Sequence, residues 1–398
     1  MKILFVATDP LEPTGYAKIS CHISFFLADQ PDVELYHLAI DYNHHPKNVT
    51  NRKRHPKIKY IDSKIANNSD IYGPPVINNF IQVIQPDILL IYNDCIVTYR
   101  NLKELDKIPE IRKKMRVILY LDVIQEKMSD SMLNAIRDRA DDIYVFTDIW
   151  TQYIQDSRVL YHWIDPIFSK QNQMECRQRL NLHNPSDFII VNTNRNSSHK
   201  RLDITVRAFL KFYKQVERKD EIKLLLVCTM KSPMGFDLLD LIKKECEYEG
   251  LEKDYDNIVC NNILHLSKIG DETMNDVYNA GDVGINTTSI EGFGLCNLEM
   301  GSLGKPQIVS GVGGLRDIHP SFIEPKIRLY CSESESGGLF GYKHICLAED
   351  FTKELLKYYN DRELMKKDGE YLAALLLQKY NKERILDAWW KEIHLSPN

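Results

Sequence analysis

The chain has 398 residues, 43% hydrophobic and 27% charged, with a formal net charge of -5. Single cores stop growing near ~250–300 residues, so two domains are expected. The mild negative charge gives no basis for general nucleic-acid binding, and no apolar run approaches the ~18–20 residues of a membrane-spanning helix. The nine cysteines, an odd number without a C-x-x-C pair, argue for reduced thiols in a cytosolic compartment, not for a disulfide framework or a zinc site.

Lys2–Ala7 is an apolar run of strand length. It is too short for a secretion leader, and Asp9 ends it without a small-residue cleavage site. A polar loop through Gly15 leads into helical spacing over Ala17–Ala28, and Val33–Ile40 reads as a second strand. This is a βαβ unit with its glycine turn at the first helix N-terminus. Ile88–Tyr92, Val117–Leu121 and Ile143–Phe146 are further strands, the last followed by a helix-like segment after Thr147. Strands alternating with helices predict a parallel, doubly wound sheet.

The pattern restarts near residue 164. Phe188–Asn192 is a strand, followed by a basic loop and the helix Ile204–Val216. Ile222–Cys228, Asn262–Leu266, Val283–Thr287 and Gln307–Ser310 are further strands, with a helix over Leu295–Leu303 before the last. The chain ends in the helical stretch Tyr380–Ile393, carrying Trp389 and Trp390.

In "IEGFGLCNLEMGSLGKP", residues 290–306, glycines sit where a strand gives way to a helix. Free backbone N–H groups and the helix dipole attract phosphate there, at the carboxyl edge of the sheet where α/β folds bind ligands. Gly292 and Gly294 leave room for close approach. A carboxylate beside phosphate would repel it, so Glu291 and Glu299 make better sense as acceptors of neutral diol hydroxyls. One ligand carrying phosphate and sugar satisfies both, and solvated glutamates on a plain βα turn are the alternative.

In "NTNRNSSHKRLD", residues 192–203, Arg195 and Lys200 bracket a loop just before a helix N-terminus. Two cations there oppose the dipole unless an anion lies between them. A diphosphate would suit, with Arg195 as fork and Lys200 as point charge, and a solvated basic loop is the alternative. "GVGG", residues 311–314, is another glycine turn after a strand, suited either to a ligand or to a plain turn.

In this order the motifs resemble the GT-B glycosyltransferases, most closely retaining family 4. "EGFGLCNLEMGSLGKP" resembles the family's Glu-x7-Glu signature running into Gly-Lys-Pro, and Arg195 and Lys200 match its Arg and Lys five apart. "HWIDPIF", residues 162–168, resembles the segment that opens its second domain, and the pairing of "NRNxxxKRLD" with "EGFGLC" looks like the glycosyltransferases coded by large algal DNA viruses.

The resemblance implies two Rossmann-like domains facing across a cleft. These are an acceptor-binding domain over 1–163, a nucleotide-sugar-binding domain over 164–378, and a C-terminal helix over 379–398 that crosses back onto the first. It implies a retaining, metal-independent transfer of a hexose from a UDP- or GDP-sugar to a glycan or other hydroxyl acceptor, with no further cofactor, in the cytoplasm (of the host, if viral). Glu299 would bind the ribose. Glu291 would face the donor sugar, with Gly292, Phe293, Gly294 and Leu295 offering backbone to sugar and phosphate. The base would lie along the strand at His265 and Leu266. Gly15 would let the first loop approach the diphosphate.

Two departures stand out. The family's double glycine is Thr14-Gly15 here. Where it often has a histidine after its "v-v-x-x-v" strand, this chain has Asp122, which accepts from a sugar hydroxyl but cannot donate while ionised. The alternatives are a GT-B epimerase or hydrolase, or an inactive nucleotide-sugar-binding protein. Asp254-Tyr255-Asp256 spells the metal motif of another transferase fold but reads as a solvated loop. His44-His45 has no metal-like context, and the N-x-[ST] triplets at Asn48, Asn67, Asn196 and Asn286 read as chance.

Overall fold

Ile3–Ala7 are wholly buried along β1 (Lys2–Thr8), as expected of a strand covered on both faces. In this computed structural model, which describes residues 1–42, 50–64, 70–123, 125–331 and 341–394, β1 sits near the middle of a seven-stranded parallel sheet. Its other strands are β2 (Glu34–Ile40), β3 (Lys59–Asp62), β4 (Ile88–Asp94), β5 (Arg116–Asp122), β6 (Asp142–Val145) and β7 (Arg158–Val159), in the order β3-β2-β1-β4-β5-β6-β7. The second sheet has five parallel strands: β8 (Phe188–Asn192), β9 (Ile222–Val227), β10 (Ile263–Leu266), β11 (Val283–Asn286) and β12 (Gln307–Val309). Their order is β10-β9-β8-β11-β12. A small two-stranded sheet, β13 (Ile327–Cys331) with β14 (Gly341–Ile345), completes the set. His44, His45, Asn48 and Asn67 lie outside the described residues.

The chain divides into two compact units. The first is built from Met1–Trp163, Cys331 and Gly341, and the helix Lys382–His394, the second from Ile164–Tyr330 and Tyr342–Asn381. Each is Rossmann-like, a parallel sheet between helices. The last helix seats Trp389 edge-on against Tyr120, with ring centroids 4.5 Å apart. Arg116 donates to the carbonyls of Glu392 and Ile393 at its C-terminus, at 3.1 and 2.9 Å. A guanidinium there answers the negative end of the helix dipole, and truncating a buried Trp costs about 3–5 kcal/mol.

Local departures from the expected elements have physical causes. The segment after Thr147 forms only a 3-10 turn, Asp148–Gln152. The final helix starts at Lys382, because Asp361, Tyr380 and Asn381 interrupt three successive helical stretches, Ala348–Asn360, Arg362–Lys379 and Lys382–His394. β3 is a half-exposed edge strand without an apolar run, created by its pairing with β2. Asn196 and Asn286 are 1% and 0% exposed, so neither amide is open to a glycan.

Candidate functional site

The five-stranded sheet reverses its winding between β8 and β11, which are neighbours at its centre. Connections from these two strands leave in opposite directions, so their following loops open a crevice at the carboxyl edge. One loop is the basic segment 193–201 and the other is 287–294. Direct bonds join them. The His199 carbonyl accepts from Ser289 N at 2.8 Å and from Ser289 Oγ at 3.0 Å. Thr287 Oγ1 donates to the Arg201 carbonyl at 2.8 Å and lies 2.7 Å from Thr205 Oγ1, which accepts from Asn192 Nδ2 at 2.9 Å.

The cations and carboxylates singled out in the sequence now acquire partners. Lys200 Nζ forms an ion pair with Glu291 Oε2 at 2.6 Å, the two side chains 16% and 12% exposed. Arg195 is exposed and makes no ion pair among the described residues. Arg201, in the left-handed region at φ +51, is held at home by Asp203 through two bonds of 2.9 and 2.8 Å. Burial, with the charges of Lys200, Arg195 and Lys343, pushes His199 down to about 3. The loop is therefore cationic, with a neutral histidine inside it.

The glycine loop is shaped by close packing. Gly294 caps the helix Leu295–Ser302 at φ +104, and a Cβ there would meet Leu315 Cδ2 at 2.5 Å. A Cβ on Gly314 would meet the Gly292 carbonyl at 2.4 Å. Gly314 N donates to the Glu291 carbonyl at 3.1 Å. The 311–314 turn thus serves as the bed on which 291–294 rests. Phe293 is buried, edge-on to Tyr380 with centroids 5.8 Å apart.

Glu299, 3% exposed, accepts from the Tyr278 hydroxyl at 2.9 Å. Beneath the helix, Asn286 Nδ2 donates to Asn297 Oδ1 at 2.6 Å and Asn297 Nδ2 to Gln307 Oε1 at 2.8 Å. This buried amide chain fixes β11, the helix and β12 against one another. A Cβ on Gly284 would meet the Gln307 side-chain amide at 2.1 Å, so that amide would have to shift out of the chain. None of these bonds is visible in sequence spacing; only the run of polar residues after a buried strand hints at them. His265 spends its Nε2 on the Cys228 carbonyl, and Leu266 packs on an apolar cluster around Phe168. β10 is an edge strand, so one row of its backbone groups faces away from the sheet.

In the first unit, Gly15 opens the helix Gly15–Ala28, capped by Thr14 Oγ1, which accepts from Ala17 N at 3.1 Å. Arg52 donates to the carbonyls of Pro10 and Glu12 at 3.0 Å each and so fixes the preceding loop. Asp122 ends β5 directly beside Asp94, which ends β4. The Tyr16 hydroxyl donates to Asp122 Oδ2, and its ring lies 5.3 Å from that of Tyr92. Burial raises the Tyr16 phenol well above its ordinary value, helped by Asp122 and Asp94. Burial likewise raises Asp94, which caps the helix Cys95–Leu105 through two 2.9 Å bonds. Tyr16 went unnoticed in the sequence because its partner lies 106 positions away.

A parallel sheet of seven strands and another of five, each Rossmann-like, with the last helix returning to the first unit, define the GT-B fold. Solved structures of this class match over nearly the whole chain. Anabaena HepE in complex with UDP and glucose is 14% identical with a TM-score of 0.69, covering 99% of each chain. Sucrose-phosphate synthase from Thermosynechococcus elongatus is 14% identical with a TM-score of 0.69, covering 99% of this chain and 98% of that one. A glycosyltransferase from Rickettsia africae is 13% identical with a TM-score of 0.65, covering 98% and 97%. No protein-family model matches the chain. No curated protein matches it in sequence.

Proposed function

We propose that this protein is a glycosyltransferase that moves a hexose from a nucleoside-diphosphate sugar to a hydroxyl acceptor with retention of configuration. The observation that carries the reading is the meeting, at the switch point of the second sheet, of the basic loop with the glycine loop through Lys200 and Glu291. The likeness to HepE, solved in complex with UDP-glucose, supports a UDP-sugar as the first donor to test.

Arg195 and Lys200 neutralise the diphosphate, aided by the helix N-terminus at Gly294 and Leu295. Glu299, oriented by Tyr278, takes the ribose hydroxyls. Glu291, with the Gly292–Phe293 backbone, faces the sugar. The base lies along β10 near His265 and Leu266. The first unit binds the acceptor, and Asp122 and Gly15 are its candidate site residues. In the reaction the bond from the anomeric carbon to the phosphate oxygen breaks, its electrons staying on the diphosphate. The acceptor oxygen bonds the same face, and its proton passes to a diphosphate oxygen. The two cations supply the charge a metal would otherwise bring, so turnover continues in EDTA.

Thermal-shift measurements with UDP-, GDP- and ADP-sugars test the reading, since a ligand of the folded state raises its melting temperature. One donor should raise it and then be consumed with a hydroxyl acceptor in EDTA. If none of the three shifts the melting temperature, the reading fails. Tight binding without turnover of any donor would point to a binding protein.

A further inference from the structure

We propose that Asn194 is a ligand-binding residue of this site whose side-chain amide donates to a diphosphate oxygen of the bound nucleotide. The inference rests on the donor-site reading above. Asn194 is 5% exposed, yet its Nδ2 has no hydrogen-bond partner. Its other groups are used: the backbone N–H donates to Asn192 Oδ1 at 2.9 Å, and Oδ1 faces the Cys296 thiol at 3.8 Å. Buried amides in native proteins are nearly always bonded. The same loop supplies the contrast. Asn196 is equally buried, and its Nδ2 donates to the Thr229 and Phe236 carbonyls at 2.9 and 2.8 Å, while its Oδ1 accepts from Phe236 N at 2.9 Å. One asparagine is consumed by the fold and the other is left with donors to spare.

The place of the unused donor points to the ligand. Asn194 precedes Arg195 in the loop after β8, and its neighbour Cys296 lies in the first turn of the helix Leu295–Ser302. The opening N–H groups of that turn have no intrahelical acceptor. Burial pushes the Cys296 thiol up to about 11, with Glu291 raising it and Lys200 lowering it. Asn194 therefore stands among the cations and helix N–H groups, where an anionic oxygen is the complementary partner. A second orphan, Ser197 Oγ, lies in the same loop.

The test is calorimetric titration of wild type, Asn194→Ala and Asn194→Asp with UDP, GDP and ADP and with the matching nucleosides, alongside melting of each ligand-free protein. Loss of a hydrogen bond to a charged group should weaken the diphosphate about 10-fold or more in Asn194→Ala. It should weaken further in the near-isosteric Asn194→Asp, with nucleoside affinity unchanged. Ligand-free Asn194→Ala should melt no lower than wild type, because the substitution removes a donor that the fold never satisfied. Equal diphosphate affinity in all three proteins overturns the proposal and leaves the donor site standing. A loss that tracks lowered stability, or that falls equally on the nucleoside, makes Asn194 structural and also overturns it. Wild type that binds none of the three diphosphates overturns the donor-site reading itself.

Discussion

Replacing Lys200 with Met strands a carboxylate. Glu291 is paired at 2.6 Å, with both side chains largely covered, so its charge would lose its counter-ion without regaining full hydration. Coulomb attraction at ~4 Å is about 4 kcal/mol for an effective dielectric constant near 20. Desolvation opposes it, and breaking a fully buried pair costs about 3–5 kcal/mol. For this partly covered pair, about 1–3 kcal/mol is expected. Glu291→Gln should cost less, because the amide still accepts from the ammonium. The double variant should recover much of the loss of Lys200→Met, giving a coupling of about 1–2 kcal/mol in a denaturation cycle. Nucleotide affinity should not recover, since the phosphate-facing cation is still missing. Additivity within about 0.5 kcal/mol would refute the ion pair. Recovery of nucleotide affinity in the double variant would refute the division of roles, leaving Lys200 with only a structural task.

Glu299→Gln keeps an acceptor for Tyr278 but removes the charge, so UDP should bind roughly 10-fold more weakly while stability changes little; undiminished UDP binding would defeat the ribose assignment. Tyr16→Phe removes the donor to Asp122. We expect turnover to fall severalfold with donor affinity preserved, read as kcat against KM, and unchanged kcat would relieve Tyr16 of any positioning role. Burial pulls Lys305 down to about 8, opposed by Asp282 and aided by Arg177 and Lys170. The unfolded chain then holds a proton that the folded one lacks between pH 8 and the ordinary lysine value of 10.5, so this lysine's contribution to stability rises with pH across that window and is least below it. Relative to Lys305→Gln, wild type should gain about 1–3 kcal/mol from pH 7.5 to 10; a pH-independent gap would exclude the shift.

The sequence by itself determined the alternation of strands and helices, because β1 and β8 are buried on both faces and read as unbroken apolar runs. It also marked the two loops that meet, since glycines and paired cations at strand-to-helix junctions have few other uses. Short edge strands such as β3 were beyond it, because they exist only through their neighbours. Which loops share a crevice was decided by strand order, which sets β8 beside β11 although 90 residues separate their ends. The same tertiary ordering gave Lys200 to Glu291, Tyr278 to Glu299 and Tyr16 to Asp122, over separations of 91, 21 and 106 residues. Hydrogen-bond and charge partners obey distance in space, and period and composition carry no information about it. That is why the residues of the candidate site were legible one by one, while their pairing, and the unpartnered side-chain amide of the buried Asn194, were legible only in the folded chain.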